Sequence, residues 1–278
     1  MSTVTAAANG SGGLLELADL PIDLTGLPGR GTLSAILDGH IRMAHLPGML
    51  RPEYCTAILD ALADVSYQNY ASVQGLAKTD SAQFFKFGPT AHYGFDSEPN
   101  GVENYFTEAA AADADLRSRF ARANIADPLH VMKQILGYLW GGPAEVATEG
   151  DRSYFAGVVR SLTAGAGPHT DNARRTPQLS IGKTTAQGSI LFYLKMPTEG
   201  GGVRVFNKRH PTPEPFDGLG WRGVAGYQYE GVTPAAGDVV IIPSTNVHSV
   251  DPVTGEGDRI TISTFFGPMP DGRLVLWS

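Results

Sequence analysis

The sequence predicts an α+β chain, helical in its first half and built of short strands in its second. Three observations lead there. Apolar residues recur at helical spacing in stretches before residue 142. Strand-like runs follow from Tyr154 onward, and Gly, Pro and Asp separate those runs at short intervals. Short strands spaced in this way close into a sandwich or a barrel. The helices have no evident core of their own, so a single catalytic domain over 14–278 is expected, after a flexible tail at 1–13 rich in Ala, Gly and Ser.

Taken in order, Gly39 to Leu46 reads as a short strand feeding the turn Pro47-Gly48. Pro52 sits where the first helical position tolerates a missing N–H, and Cys55, Ile58, Leu59 and Leu62 follow on one face. A second helix is expected from Val102 to Ala123, turning Tyr105, Phe106, Leu116 and Phe120 toward the core. The third has Asp127 as N-cap, Pro128 in the first turn, Val131, Ile135 and Leu139 inside, and Gly141-Gly142 as its stop. Gln83 to Phe95 is aromatic and glycine-bearing and fits neither period. Strands are expected at 154–162, 177–183, 189–195, 202–207, 224–230, 238–242 and 258–266.

Composition narrows the function classes. A net charge of −7 argues against a nucleic-acid polymer and against an anionic membrane surface as partner. No run is long and apolar enough for a transmembrane helix, and Met1 to Gly13 lacks the cationic and apolar parts of a leader. The single cysteine, Cys55, excludes an internal disulfide and fits a reducing, cytoplasmic setting, where it packs as a small buried hydrophobe. The sequence does not specify an oligomeric state.

The chemistry is concentrated in His169-Thr170-Asp171, His248, Arg259 and Thr261. Two imidazoles and one carboxylate can hold one face of an octahedral Fe(II) and leave three positions open. A lone His-x-Asp is weak among 7 histidines and 28 acidic residues, and taken alone it reads better as a hydrogen-bonded loop pair. Its setting adds weight: Ala164-Gly165-Ala166-Gly167-Pro168 is a turn-rich run that lets residues two apart aim at one centre. His248 follows the apolar strand that begins at Gly237-Asp238. In the strand from Asp258 to Phe266, Arg259, Thr261 and Ser263 share a face. An Arg and hydroxyls on one face suit a buried carboxylate, held bidentately by the guanidinium; the competing reading is a solvent-facing strand edge.

These residues resemble the non-haem Fe(II)/2-oxoglutarate-dependent oxygenases. Gly200-Gly201-Gly202-Val203-Arg204-Val205-Phe206, the Gly237-Asp238 strand and the ending Pro270 to Ser278 resemble one bacterial branch of them, the free-standing hydroxylases of N-substituted amino acids and related carbon halogenases of alkaloids and nucleotides. The resemblance covers the chain from about Gly39 onward. It implies a double-stranded β-helix (a cupin-like jelly roll) with the first-half helices bracing one sheet. It also implies that His169, Asp171 and His248 ligate Fe(II), and that Arg259, helped by Thr261, binds the distal carboxylate of 2-oxoglutarate. O2 is then the second co-substrate, succinate and CO2 are co-products, and an unactivated C–H bond of a small metabolite is hydroxylated.

Within that branch Asp171 separates two outcomes. The halogenases replace this carboxylate with a small residue so that chloride can take the vacated position, so Asp171 favours hydroxylation. Desaturation and ring closure share the hydrogen-abstraction step and stay open. Outside the family, a zinc hydrolase could use the same three ligands and a jelly-roll binding module could dispense with them; Arg259 counts against both.

The expected substrate is an N-substituted amino acid, a nucleotide or another natural-product intermediate. Candidate substrate residues are Phe85, Phe87 and His92 in the aromatic stretch, Arg160 on the strand before the triad, and Arg174 just after it. Arg174-Arg175 and Lys208-Arg209-His210 could select an anion, a solvated face being the alternative. His40, His45 and His130 are read as structural or surface residues.

Overall fold

The computed structural model describes residues 20–23, 26–69, 84–91, 99–209 and 223–278. α1 (Thr32–Leu37) leads to β1 (Ala44–Leu46), α2 (Pro52–Ala61), β2 (Gln68–Asn69) and β3 (Phe84–Phe87). Next come α3 (Gly101–Arg122), α4 (Pro128–Trp140), β4 (Ala144–Val146), β5 (Thr148–Glu149) and β6 (Arg152–Ser153). β7 (Val158–Leu162) and β8 (Ala166–His169) precede two 3-10 turns, Ala173–Arg175 and Ser180–Lys183. The chain finishes with β9 (Gly188–Lys195), β10 (Val203–Arg209), β11 (Tyr229–Val232), β12 (Val239–Ile242), β13 (Asn246–Val250), β14 (Ile260–Pro268) and β15 (Leu274–Trp277).

The helices begin and end where their punctuation directs. Pro52 occupies the first turn of α2, where its absent N–H leaves no ladder bond unmade. At α4, Asp127 Oδ1 accepts from the Leu129 amide at 2.8 Å, and Gly141, at φ 86°, ends the helix in the left-handed conformation that glycine adopts freely. Residues of all four described helices, among them Leu33, Ile58, Phe120 and Leu136, join Phe192, Val239 and Ile262 of the sheet in one buried cluster.

Two largely antiparallel sheets form a jelly-roll core. The larger runs β1-β12-β9-β14-β7-β3-β2, with β15 on β14 and β4 parallel to β15; the smaller runs β11-β10-β13-β8. Alternation gives the larger sheet two distinct faces. Phe87, Val159, Ile262, Phe192 and Val239 point outward into the cluster shared with the helices. Tyr193, Val240 and Ile242 point inward and pack on Val203 and Val205 of the smaller sheet.

Several elements depart from the sequence reading. Residues 177–183 form no strand: the Leu179 amide donates to Thr176 O, the Ser180 amide to the Glu149 carboxylate, and Thr184 Oγ1 to Ile181 O. Bonds within the turn, together with the distant Glu149 carboxylate, satisfy the backbone in a 3-10 turn without a ladder. The run at 154–162 is strand only from Val158, because Gly157 turns the chain at φ 91°. That at 224–230 starts at Tyr229, after a turn closed from the Tyr227 amide to Val224 O. The first strand is confined to Ala44–Leu46. The glycine-rich run before His169, read as a turn, is strand from Ala166 onward, as β8. Part of the unassigned aromatic stretch is β3, which residues 88–91 follow outside any strand; the rest lies outside the described residues. No described helix is long and apolar enough to cross a membrane.

Candidate metal and co-substrate site

β8 and β13 are neighbours in the smaller sheet, and their register sets His169 directly opposite His248. The two rings stand 4.3 Å apart between centroids. Glycine allows this pairing: Gly165 sits at φ 73°, and a Cβ there would lie 2.6 Å from Val250 O. Just past β8, the Asp171 amide donates to Ser244 O at 2.9 Å and Ser244 Oγ donates to Asp171 O at 3.3 Å. The loop is thereby tied to the end of β12. Asp171 Oδ2 then lies 3.3 Å from His248 Nε2 and 3.8 Å from His169 Nε2. The three candidate ligand atoms all fall within 4.8 Å of one another.

Both imidazoles are oriented from behind. His169 Nδ1 donates to Gly167 O at 2.7 Å and His248 Nδ1 to Asn246 O at 2.9 Å. A carbonyl can only accept, so the proton sits on Nδ1 and the Nε2 lone pair is left for a metal. Burial lowers the His169 pKa, and the neighbouring His248 lowers it further. Burial alone would raise Asp171, but contact with the His248 ring and the proximity of His169 and Arg160 hold the carboxyl well below the usual carboxylate range. A neutral imidazole and an ionised carboxylate are the states that metal ligation requires. His248 is buried, at 7% side-chain exposure, whereas His169 and Asp171 keep 33% and 34%, so the cluster opens toward solvent on the β8 side.

Arg259 is fully buried. Its Nε donates to Gly201 O at 3.1 Å and its Nη2 to the Tyr193 hydroxyl at 3.2 Å. Its Nη1 is buried and has no hydrogen-bond partner among the described residues. Desolvating a guanidinium nitrogen without an acceptor is costly, and a carboxylate delivered by a small molecule would remove that cost. Thr261, 1% exposed, lies opposite Tyr193 on the inner face. The donor set of the triad and this orphaned nitrogen together fit Fe(II) and 2-oxoglutarate.

Tyr193 was not among the residues singled out from the sequence, yet it is the side-chain partner of Arg259. Its signal was a polar-tipped residue within the buried run of β9. Gln187 was also missed; its Oε1 accepts from the Ala173 amide at 2.7 Å and so holds the turn that follows the triad.

The candidate substrate residues separate. Arg160 is on the inner face, opposite Thr261, donating from Nη1 to Ser263 Oγ. Phe87 corrects the expectation: it packs into the helix-side cluster, and Phe85, two residues away, shares that outward face. His92 lies outside the described residues. Arg174 is exposed on the first 3-10 turn and lines a pocket of about 270 Å³ with Asn172, Gln187, Arg209 and Thr245. Parts of the two basic clusters therefore meet at one rim. A larger cavity of about 690 Å³ lies between α3, α4 and the β5–β6 turn and contains none of these residues.

Comparison with known proteins agrees with this geometry. The profile of the 2OG-Fe(II) oxygenase superfamily matches residues 156–267, which span both histidines, Asp171 and Arg259. The chain is 32% identical over 208 residues to the L-gamma-glutamyl-L-propargylglycine hydroxylase of Streptantibioticus cattleyicolor, covering 68% of this chain and 75% of that one. It is 27% identical over 194 residues to the leucinostatins biosynthesis cluster protein S of Purpureocillium lilacinum, covering 63% and 79%. Among solved structures, an N-substituted L-amino acid dioxygenase from Burkholderia ambifaria in complex with alpha-KG shares the fold at a TM-score of 0.58, with 14% identity over 89% of this chain and 90% of that one.

Proposed function

The chain belongs to the 2OG-Fe(II) oxygenase superfamily as a 2-oxoglutarate-dependent non-haem iron dioxygenase, and on that premise we propose that it hydroxylates an unactivated C–H bond of a small N-substituted amino acid or a related natural-product intermediate. The observation that carries this reading is the completeness of the triad. Asp171 stands beside both imidazoles, so the position that a halogenase would give to chloride is filled by a carboxylate. The substrate class is drawn from the relatives, whose names describe a hydroxylase of a γ-glutamyl amino acid and a dioxygenase of N-substituted amino acids.

Bound Fe(II), with 2-oxoglutarate and O2, supplies the oxidising power: the keto acid becomes succinate and CO2, one oxygen atom entering succinate and the other the C–H bond. The protein's part is to bind and orient. His169, Asp171 and His248 would hold the metal from one side, with Gly167 and Asn246 fixing the imidazole tautomers. Arg259 would take the distal carboxylate of 2-oxoglutarate on Nη1, while Tyr193 and Gly201 hold the planar guanidinium in place and Thr261 adds a hydroxyl. The buried inner face of Val203, Val205, Val240 and Ile242 excludes water from behind these groups. We read residues 14–278 as one catalytic domain, its helices bracing the larger sheet.

Incubation with Fe(II), 2-oxoglutarate, O2 and a panel of γ-glutamyl and N-acyl amino acids tests the reading. Succinate should form in step with a product heavier by one oxygen atom, and Asp171→Gly should lose that product. Full hydroxylation by Asp171→Gly would sink the ligand assignment.

A further inference from the structure

Metal and 2-oxoglutarate leave one feature of the inner face unused. Lys86 lies opposite Arg160, Arg160 opposite Thr261, and Thr261 opposite Tyr193, so the four form a single row across β3, β7, β14 and β9. Directly opposed residues of antiparallel strands share a face, and like charges so placed are destabilising unless something offsets them. Both cations are partly buried. Arg160 donates to Ser263 Oγ, a neutral partner, and Lys86 Nζ donates to Thr90 Oγ1 at 3.2 Å. Among the described residues no carboxylate forms an ion pair with Arg160.

Charge balance sharpens the point. In the loaded site, two charges on Fe(II) and one on Arg259 cancel those of Asp171 and the 2-oxoglutarate dianion. The charge of Arg160, felt at both His169 and Asp171, is then left over. A partly desolvated guanidinium beside a neutral centre calls for an anion, and the substrate is the component still to be supplied.

We propose that Arg160, backed by Lys86, anchors a carboxylate of the substrate on the inner face, so that the enzyme selects carboxylate-bearing metabolites and presents a C–H bond at a fixed distance from that anchor. The inference rests on the hydroxylase reading. A planar guanidinium binds a carboxylate bidentately, which fixes orientation as well as charge.

The test is anaerobic calorimetric titration of the full chain loaded with Fe(II) and 2-oxoglutarate. The probes are N-acetyl-L-leucine and γ-L-glutamyl-L-leucine, the carboxamides of both, and adenosine monophosphate as a phosphate. At least one acid should bind, with its amide weaker by roughly 10- to 100-fold. Arg160→Gln should erase that difference while leaving 2-oxoglutarate affinity unchanged, and Arg160→Lys should restore part of it. Retained 2-oxoglutarate binding also shows that the variants are folded. Equal binding of acids and amides, binding of no acid, preference for the phosphate, or acid affinity unchanged in Arg160→Gln would each overturn the proposal. A loss of 2-oxoglutarate affinity in that variant would overturn it too, by assigning Arg160 to the co-substrate. Failure of the wild-type chain to take up Fe(II) and 2-oxoglutarate would fail the hydroxylase reading instead.

Discussion

His169 and His248 face each other across adjacent antiparallel strands, with ring centroids 4.3 Å apart and each Nδ1 bound to a carbonyl two residues earlier in its own strand. The pairing makes the metal site a property of sheet register. A one-residue slip between β8 and β13 would send one imidazole to the opposite face. Asp171, tied to Ser244, completes the cluster from a third segment.

Metal binding should therefore couple to folding. Fe(II) at about a hundred times its Kd should stabilise the native state by about 2.7 kcal/mol, or roughly 5–10 °C in Tm for a chain of this size. Anaerobic thermal unfolding of the wild type and of His248→Ala checks this. The variant should show no metal-dependent shift, and a full shift in it would mean that the ion binds elsewhere.

Tyr193→Phe removes one hydrogen bond from a buried cation and leaves the ring in place. Bonds to charged groups contribute about 1.5–3 kcal/mol. Affinity for 2-oxoglutarate should fall by roughly tenfold or more while Fe(II) affinity holds. Equal losses of both would indicate a general disturbance of the core.

Lys86 gives a pH dependence of definite sign. Burial, and then the charge of Arg160, push its ammonium down to about 8, against an opposing pull from Glu108. Between that value and its unfolded pKa, near 10.4, the unfolded chain binds more protons than the folded one, so Lys86's contribution to stability rises with pH across this window. Below about pH 8 both states are protonated and the cost of the buried charge is constant. Unfolding free energies from denaturant titration, wild type relative to Lys86→Met, should gain about 3 kcal/mol over the window. A flat difference would show that Lys86 is solvated.

Much of the site was legible in the sequence because its chemistry is local. His169 and Asp171 are two residues apart, and the alternation of Thr261 and Ser263 identifies a polar stripe that an ordinary core would not tolerate. Asp127 and Gly141 marked α4 at both ends for the same reason: a cap is made within its own turn. What escaped depends on partners far along the chain. Phe85 and Phe87 read as pocket residues until β3 was paired with β7, which turns them toward the helices and Lys86 inward. Tyr193 is ordinary in sequence and acquires its role only beside Arg259, 66 residues away. Residues 177–183 looked like a strand because nothing local announced that Glu149 would supply an acceptor.

The central claim is that one site holds Fe(II) on His169, Asp171 and His248 and 2-oxoglutarate on Arg259. Anaerobic titration of the metal-free chain with Fe(II) and then 2-oxoglutarate, read by the weak visible charge-transfer band of a chelated keto acid, tests it most directly. The account predicts that the band appears in the wild type, needs a much higher 2-oxoglutarate concentration in Arg259→Ala, and is absent in His248→Ala. Iron binding without a band, or a band indifferent to Arg259→Ala, would contradict it.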